Sequence, residues 1–145
     1  MDAAHRNAAC LTGLHVLIVE DEPMRAMCLG DVIEAEGCVV AGTVGTVAGA
    51  LALVATAAFD VAILDLNLHG EPVGSIAAAI VRGGHAVVFS TGSGASDVPA
   101  EFQGWPVLCK PYSDEAVFAA LASATGDRQR SIQPRHARSE REQIL

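Results

Sequence analysis

Short aliphatic runs alternate along the chain with segments whose apolar residues recur at helical spacing. His15–Val19 is one such run, ending in Glu20, Asp21 and Glu22, and it predicts a first strand. Pro23 stands where a helix would begin, because proline lacks the N–H that a first helical turn leaves unpaired. Leu29, Val32 and Ile33 then fall on one helical face, and Gly37 is placed to stop the helix. Residues 38–44 predict a second strand. Thr46 can cap a second helix whose buried stripe is Val47, Leu51 and Val54. Residues 61–64 predict a third strand that ends at Asp65, and residues 67–72 a loop around Gly70. Ile76, Ala79 and Ile80 mark a third helix, closed by Gly83 and Gly84, and residues 86–90 a fourth strand. Residues 91–104 hold three glycines and a proline, so any helix there is short or irregular. Residues 106–109 predict a fifth strand, followed by Lys110 and Pro111. Ser113 caps a last helix, with Asp114 and Glu115 in its first turn and Val117, Phe118 and Leu121 on its buried face.

Five strands alternating with helices define an α/β, doubly wound fold. Right-handed crossovers make the sheet parallel and put helices on both faces. In such folds the site lies beyond the carboxyl ends of the strands, where strand order reverses. The pattern spans residues 14–125 as one domain. Residues 1–13 form an N-terminal extension, and residues 126–145 a polar, Arg-rich tail expected to be disordered or a helical extension.

Composition sharpens the picture in three ways. Hydrophobic residues make up 51% of the 145, yet aromatics only 4%, so the core is aliphatic, as in sheets covered on both faces. Residues 1–125 carry fourteen acids against four bases, and residues 126–145 five arginines against three acids. An acidic body argues against direct binding of nucleic acid, which requires neutralisation of phosphates. Cys10, Cys28, Cys38 and Cys109 show neither CxxC pairing nor metal-like spacing, which fits reduced thiols in a cytoplasmic protein. No signal peptide is visible at the start. The uncharged stretch between Glu36 and Asp60 is long enough to cross a bilayer. Gly42, Gly45 and Gly49, three threonines and acidic flanks argue against membrane insertion, and the stretch divides better into a buried strand and a helix.

The predicted topology gathers polar residues at one rim. Glu20 and Asp21 follow strand one, Asp65 ends strand three, Ser90 and Thr91 end strand four, and Lys110 follows strand five. Clustered carboxylates repel one another. A hard divalent cation with oxygen ligands relieves this, and Mg²⁺ suits a site that also receives phosphate, with Mn²⁺ an alternative. An aspartate can be a nucleophile, while a lysine and a hydroxyl can stabilise a transferring phosphoryl group. Taken singly, each residue is more often a cap, a turn or a solvated end. Their joint placement at four strand ends is what points to chemistry.

With these residues in place, the chain resembles the receiver domain of bacterial two-component response regulators, over about residues 14–124. The resemblance rests on VLIVEDE at 16–22, AILDLNLHG at 62–70, VVFSTG at 87–92 and VLCKPY at 107–112. It implies a flavodoxin-like sheet of strand order 2-1-3-4-5. It also implies Glu20 and Asp21 as the acidic pair that holds Mg²⁺, and Asp65 as phosphoacceptor and metal ligand. Asn67 would complete the metal shell through its backbone carbonyl, and its side chain would tune dephosphorylation. Thr91 would be the switch hydroxyl, ahead of Ser90, and Lys110 the family's lysine, followed by the cis-prone Pro111. The first acid is Glu where Asp is commoner. Val107 stands where many receivers have a switching aromatic, which puts the usual threonine–aromatic coupling in doubt, and Trp105 nearby has no assigned part. FSTGSG and the glycine-rich fourth unit resemble the "FAT GUY" subgroup, whose members often stand alone in phosphorelays or stress signalling.

The resemblance implies a stand-alone response regulator. A sensor histidine kinase or histidine phosphotransfer protein would phosphorylate it in a Mg²⁺-dependent reaction, and it would signal through an unknown downstream protein, with homodimerisation possible. It would not be an enzyme in the conventional sense, although it would catalyse its own aspartyl phosphorylation and dephosphorylation. Three other readings compete. A haloacid-dehalogenase-type phosphatase wants a second Asp two residues on, where this chain has Asn67. A flavodoxin-like cofactor binder wants a phosphate loop after strand one, where this chain has three acids. A degenerate receiver would keep the fold as a phosphorylation-independent binding module.

Overall fold

Strands without polar alternation need cover on both faces, and three of the five strands have it. The computed structural model describes residues 11–126. Most of the expected N-terminal extension and all of the tail beyond residue 126 lie outside the described residues. The elements are β1 (His15–Val19), α1 (Pro23–Ala35), β2 (Val39–Val44), α2 (Val47–Thr56), β3 (Val61–Asp65), α3 (Gly74–Arg82), β4 (Ala86–Thr91) and β5 (Val107–Cys109). A last helix, α4, covers residues 114–126. All strand pairs are parallel, in the order β2-β1-β3-β4-β5. The chain thus winds outward from β1 to one side and from β3 to the other. The carboxyl ends of β1 and β3 flank the reversal, where ligands bind in folds of this kind.

Successive strand residues point to opposite faces, and this divides the core into two layers. Val16 and Ile18 of β1, Ile63 of β3 and Val88 of β4 pack with Leu29 and Ile33 of α1 and with Val117 and Leu121 of α4. Their neighbours Leu17, Val19, Leu64 and Phe89 pack on the other side with Ala50 of α2 and with Ile76, Ala77 and Ile80 of α3. The helix starts follow the expected chemistry. Glu22 caps α1 by accepting from the Arg25 N–H at 2.8 Å, with Pro23 as first helical residue. Thr46 Oγ1 accepts from the Gly49 N–H at 3.0 Å, and Ser113 Oγ from the Ala116 N–H at 3.1 Å. Gly37, at φ +97°, ends α1 in a left-handed turn that side chains resist.

The structure corrects three expectations. β2 is an edge strand and only half-buried: Val39 is 43% exposed, and no residue of the strand is fully buried. Its edge position agrees with the expected strand order, and only the burial inferred from its lack of charge is corrected. The α2 stripe of Val47, Leu51 and Val54 is likewise only partly covered, and Ala50 is the residue in full contact with the sheet. In the same way Val32, Ala79 and Phe118 are partly buried, while Ala26, Ala77 and Ala120 lie deeper. A small side chain lets helix and sheet backbones approach, so alanines are buried beside the aliphatic residues Ile33, Ile76, Ile80 and Leu121. Between β4 and β5 only two single turns of 3₁₀ helix form, Ala95–Asp97 and Ala100–Phe102, as the glycines and proline lead one to expect. No helix of the described residues is long and apolar enough to cross a membrane.

Candidate functional site

The rim at the carboxyl ends of the strands holds a cavity of about 560 Å³, lined by Asp21, Arg25, Asp65, Asn67, Thr91, Ser93, Asp97 and Lys110 among others. Each functional side chain arrives by strand register. Asp65, the last residue of β3, lies opposite Ser90 of β4, and Thr91 lies opposite Cys109, one residue before Lys110. Glu20 and Asp21 follow β1 directly. Glu20, Asp65 and Thr91 are buried, Asp21 and Lys110 partly so. Ser90 is buried as well but does not line the cavity, whereas Thr91 does.

Lys110 organises the acids. Its Nζ donates to Asp65 Oδ2 at 2.9 Å and lies 3.8 Å from Glu20 Oε1. The other Asp65 oxygen, Oδ1, accepts from the Asn67 backbone N–H at 2.9 Å. The peptide bond between Lys110 and Pro111 is cis. Glu20 is held by the Arg25 guanidinium at 3.0 Å and by the Glu22 N–H at 3.0 Å. Burial nevertheless pushes the Glu20 carboxyl above the usual range, and the neighbouring Asp65 charge adds to this. Burial works upward on Asp21 too, but the His69 N–H at 2.7 Å and its imidazole outweigh it, and the net direction is down.

Oxygen atoms of Glu20, Asp21 and Asp65 lie within 4.8 Å of one another. A purely oxygen donor set of this density suits a hard divalent cation such as Mg²⁺. Lys110 and Arg25 bring two positive charges to the three carboxylates of the cluster, which leaves it short of one. The residues therefore fit the metal.

Three residues at the site carried no part in the sequence reading. Arg25 lies in the first turn of α1, where a lone arginine gives no signal. His69 sits at φ +51°, a left-handed position, and closes over Asp21 with its Nδ1 3.4 Å from Oδ2. Asp97 accepts the Thr91 hydroxyl at 3.1 Å from a turn whose course the sequence did not define. Val107, in place of an aromatic, is half-buried and packs against the second core layer, as does Trp105.

The model of the response regulator receiver domain matches residues 16–122. The chain belongs to that family, the receivers of two-component signalling. Among solved structures it is similar to SdrG from Sphingomonas melonis Fr1, at 43% identity over 77% of this chain and 96% of that one, with a TM-score of 0.70. It is similar also to the receiver domain of the PhyR response regulator from Erythrobacter litoralis, at 25% identity over 79% and 92% of the two chains, TM-score 0.67. PhyR from Brucella abortus shares the fold at 23% identity and TM-score 0.77, and there 92% of this chain spans 57% of that one. No protein of curated function matches the sequence significantly.

Proposed function

We propose that the protein accepts a phosphoryl group on Asp65 in a Mg²⁺-dependent reaction and signals by binding another protein. The observation that carries this reading is the Lys110–Asp65 contact at 2.9 Å beside the carboxylates of Glu20 and Asp21, whose oxygens lie within 4.8 Å of those of Asp65. Glu20, Asp21, Asp65 and the Asn67 carbonyl would hold the metal, which when bound neutralises the acids and draws in an anionic donor. Asp65 then attacks phosphorus, the bond from phosphorus to the donor's imidazole nitrogen breaks, and the electron pair leaves with the imidazole. Lys110 and the Thr91 hydroxyl stabilise the negative charge on the transferred group. Hydrolysis returns Asp65, with Asn67 at the cavity edge shaping the path of water. The protein is thus its own catalyst rather than a conventional enzyme.

The donor is a sensor histidine kinase or a histidine phosphotransfer protein in the cytoplasm. The likeness to SdrG, one of whose structures is a BeF₃-activated conformation, supports a switch that responds to the phosphoryl group. PhyR of Bartonella quintana is described as an anti-anti-sigma factor, and a protein target downstream is consistent with that example. Intact-mass spectrometry after incubation with acetyl phosphate, with and without Mg²⁺, tests the reading. The expected result is a Mg²⁺-dependent gain of one phosphoryl group by the wild type and none by Asp65→Asn. No gain by folded wild-type protein, with a control receiver labelled alongside, would instead favour a phosphorylation-independent binding module, a reading to which Val107 in place of the aromatic lends support.

A further inference from the structure

The crossover between β4 and β5 carries a contact that the phosphoryl chemistry does not require. Thr91 Oγ1 accepts from the Ser93 N–H at 3.0 Å and donates its single proton to Asp97 Oδ2 at 3.1 Å. A hydroxyl has one proton to give. In this arrangement it is committed to Asp97 and is not available to a group on Asp65. Asp97 itself is exposed at the end of the first 3₁₀ turn, yet it lines the same cavity as Asp65. Its carboxylate therefore faces the space where a phosphoryl group would bring further negative charge.

We propose that Asp97 is a latch: it fastens the 95–102 turns to Thr91 in the resting protein and releases them when Asp65 is phosphorylated. The inference rests on Asp65 being the phosphoacceptor. Two effects act in the same direction. A phosphoryl oxygen is a competing, charged acceptor for the Thr91 proton, and charge-assisted hydrogen bonds are the stronger kind. The new charge also repels the Asp97 carboxylate across the cavity.

The segment is built to respond. It consists of two single helical turns in place of a full helix, and it is anchored to the second core layer by only Val98 and Phe102. Phe102 contacts Phe89 of β4 with ring centroids 6.0 Å apart. Segments with few buried apolar contacts open at low free-energy cost. Loss of one polar tie therefore changes their protection measurably. Asp97 acts through Thr91, so it is a positioning residue and not a catalytic one.

Hydrogen–deuterium exchange of the full chain, read on peptides covering 92–105, tests the latch, with intact mass recorded on the same samples. Phosphorylated wild type and resting Asp97→Ala should both exchange about five- to tenfold faster over this segment than resting wild type, the effect of one lost hydrogen bond. Phosphorylation should add little in Asp97→Ala. Resting Thr91→Val loses this contact and the Ser93 N–H bond as well, so it should exchange at least as fast as resting Asp97→Ala, and the double variant should exceed Thr91→Val by nothing, since the Asp97 contact is already lost there. Asp97 is exposed, so its substitution leaves the core untouched. Additive effects of the two substitutions would show that Asp97 acts independently of Thr91 and overturn the latch. So would wild-type protection in resting Asp97→Ala, or unchanged protection in wild type whose mass shows the phosphoryl group. A wild type that gains no mass overturns the receiver reading and the trigger with it, whereas a mass gain without loss of protection overturns the latch alone.

Discussion

Lys110 is the chain's sole lysine, and the site spends it on two carboxylates, at 2.9 Å from Asp65 and 3.8 Å from Glu20. Removing one partner of such a group leaves buried charge uncompensated, which costs more than the pair itself contributes. Lys110→Ala should therefore lower the stability of metal-free protein by about 1–3 kcal/mol. Mg²⁺ should restore part of the loss, because a cation on the acids replaces the missing ammonium. Urea unfolding with and without Mg²⁺ checks both statements. Cys38 illustrates a second buried titratable group. Burial pushes its thiol up to about 11, with Glu36 adding to the shift. Its neutral form, packed against the Leu11 carbonyl at 3.6 Å, is favoured by folding. The resulting stability is present below the ordinary thiol value of 9.0 and is lost as pH rises through about 11. Urea unfolding at pH 8 and above pH 10 should show this decline, and Cys38→Ala should remove part of it. At pH 8 a thiol reagent should modify the exposed Cys28 and Cys109 and spare Cys38.

Two helical glycines separate what an element prefers from what its packing allows. By propensity alone either should gain about 1 kcal/mol on becoming alanine. At Gly30 of α1 an added Cβ would lie 3.7 Å from Val40 and 3.9 Å from Ile18, ordinary contact distances. Gly30→Ala should stabilise by about 0.5–1 kcal/mol. At Gly49 in the first turn of α2 the same atom would stand 2.5 Å from Val44 Cγ2 and 2.8 Å from Thr46 Oγ1, the capping oxygen. Gly49→Ala should destabilise by about 1–3 kcal/mol through overpacking and a disturbed cap. Thermal melts of the two variants should move in opposite directions. The same distinction explains what could be read in the sequence. Strand runs, the Thr46 and Ser113 caps and the glycine stops are local signals, and the elements formed where they stand. Burial depends on neighbours instead. β2 lacks charges and yet is only half-buried, and Ala26, Ala50 and Ala77, which carry little hydrophobic signal, are buried beside the aliphatic residues. Glu20, Asp21, Asp65, Thr91 and Lys110 were legible because the ends of parallel strands meet. Arg25, His69 and Asp97 were not, because α1 and two loops bring them in through tertiary contacts.

At the scale of the molecule, a parallel sheet gathers charge that its own chain does not balance. Residues 1–125 hold fourteen acids and four bases, and two of those bases, Arg25 and Lys110, are already engaged at the cavity. Repulsion among the acids at the rim makes stability depend on what enters the cavity. A ligand that binds only the folded state stabilises it in proportion to the logarithm of its concentration over Kd. At tenfold excess over Kd, Mg²⁺ should add about 1.4 kcal/mol, or roughly 3–6 °C in Tm for a domain of this size. The increment should also vary with pH. Burial raises the Glu20 carboxyl, so in metal-free protein the folded state holds a proton that the unfolded chain has released. Metal-free stability from this group therefore grows as pH falls from the raised value toward the ordinary 4.5. Mg²⁺ has to displace that proton, so its own contribution shrinks over the same window. Scanning calorimetry with EDTA or Mg²⁺ at pH 5 and pH 8 should find the larger Mg²⁺-induced rise at pH 8, and Asp21→Asn should reduce the rise at both. An equal rise at the two pH values would mean that Glu20 releases no proton on metal binding between them.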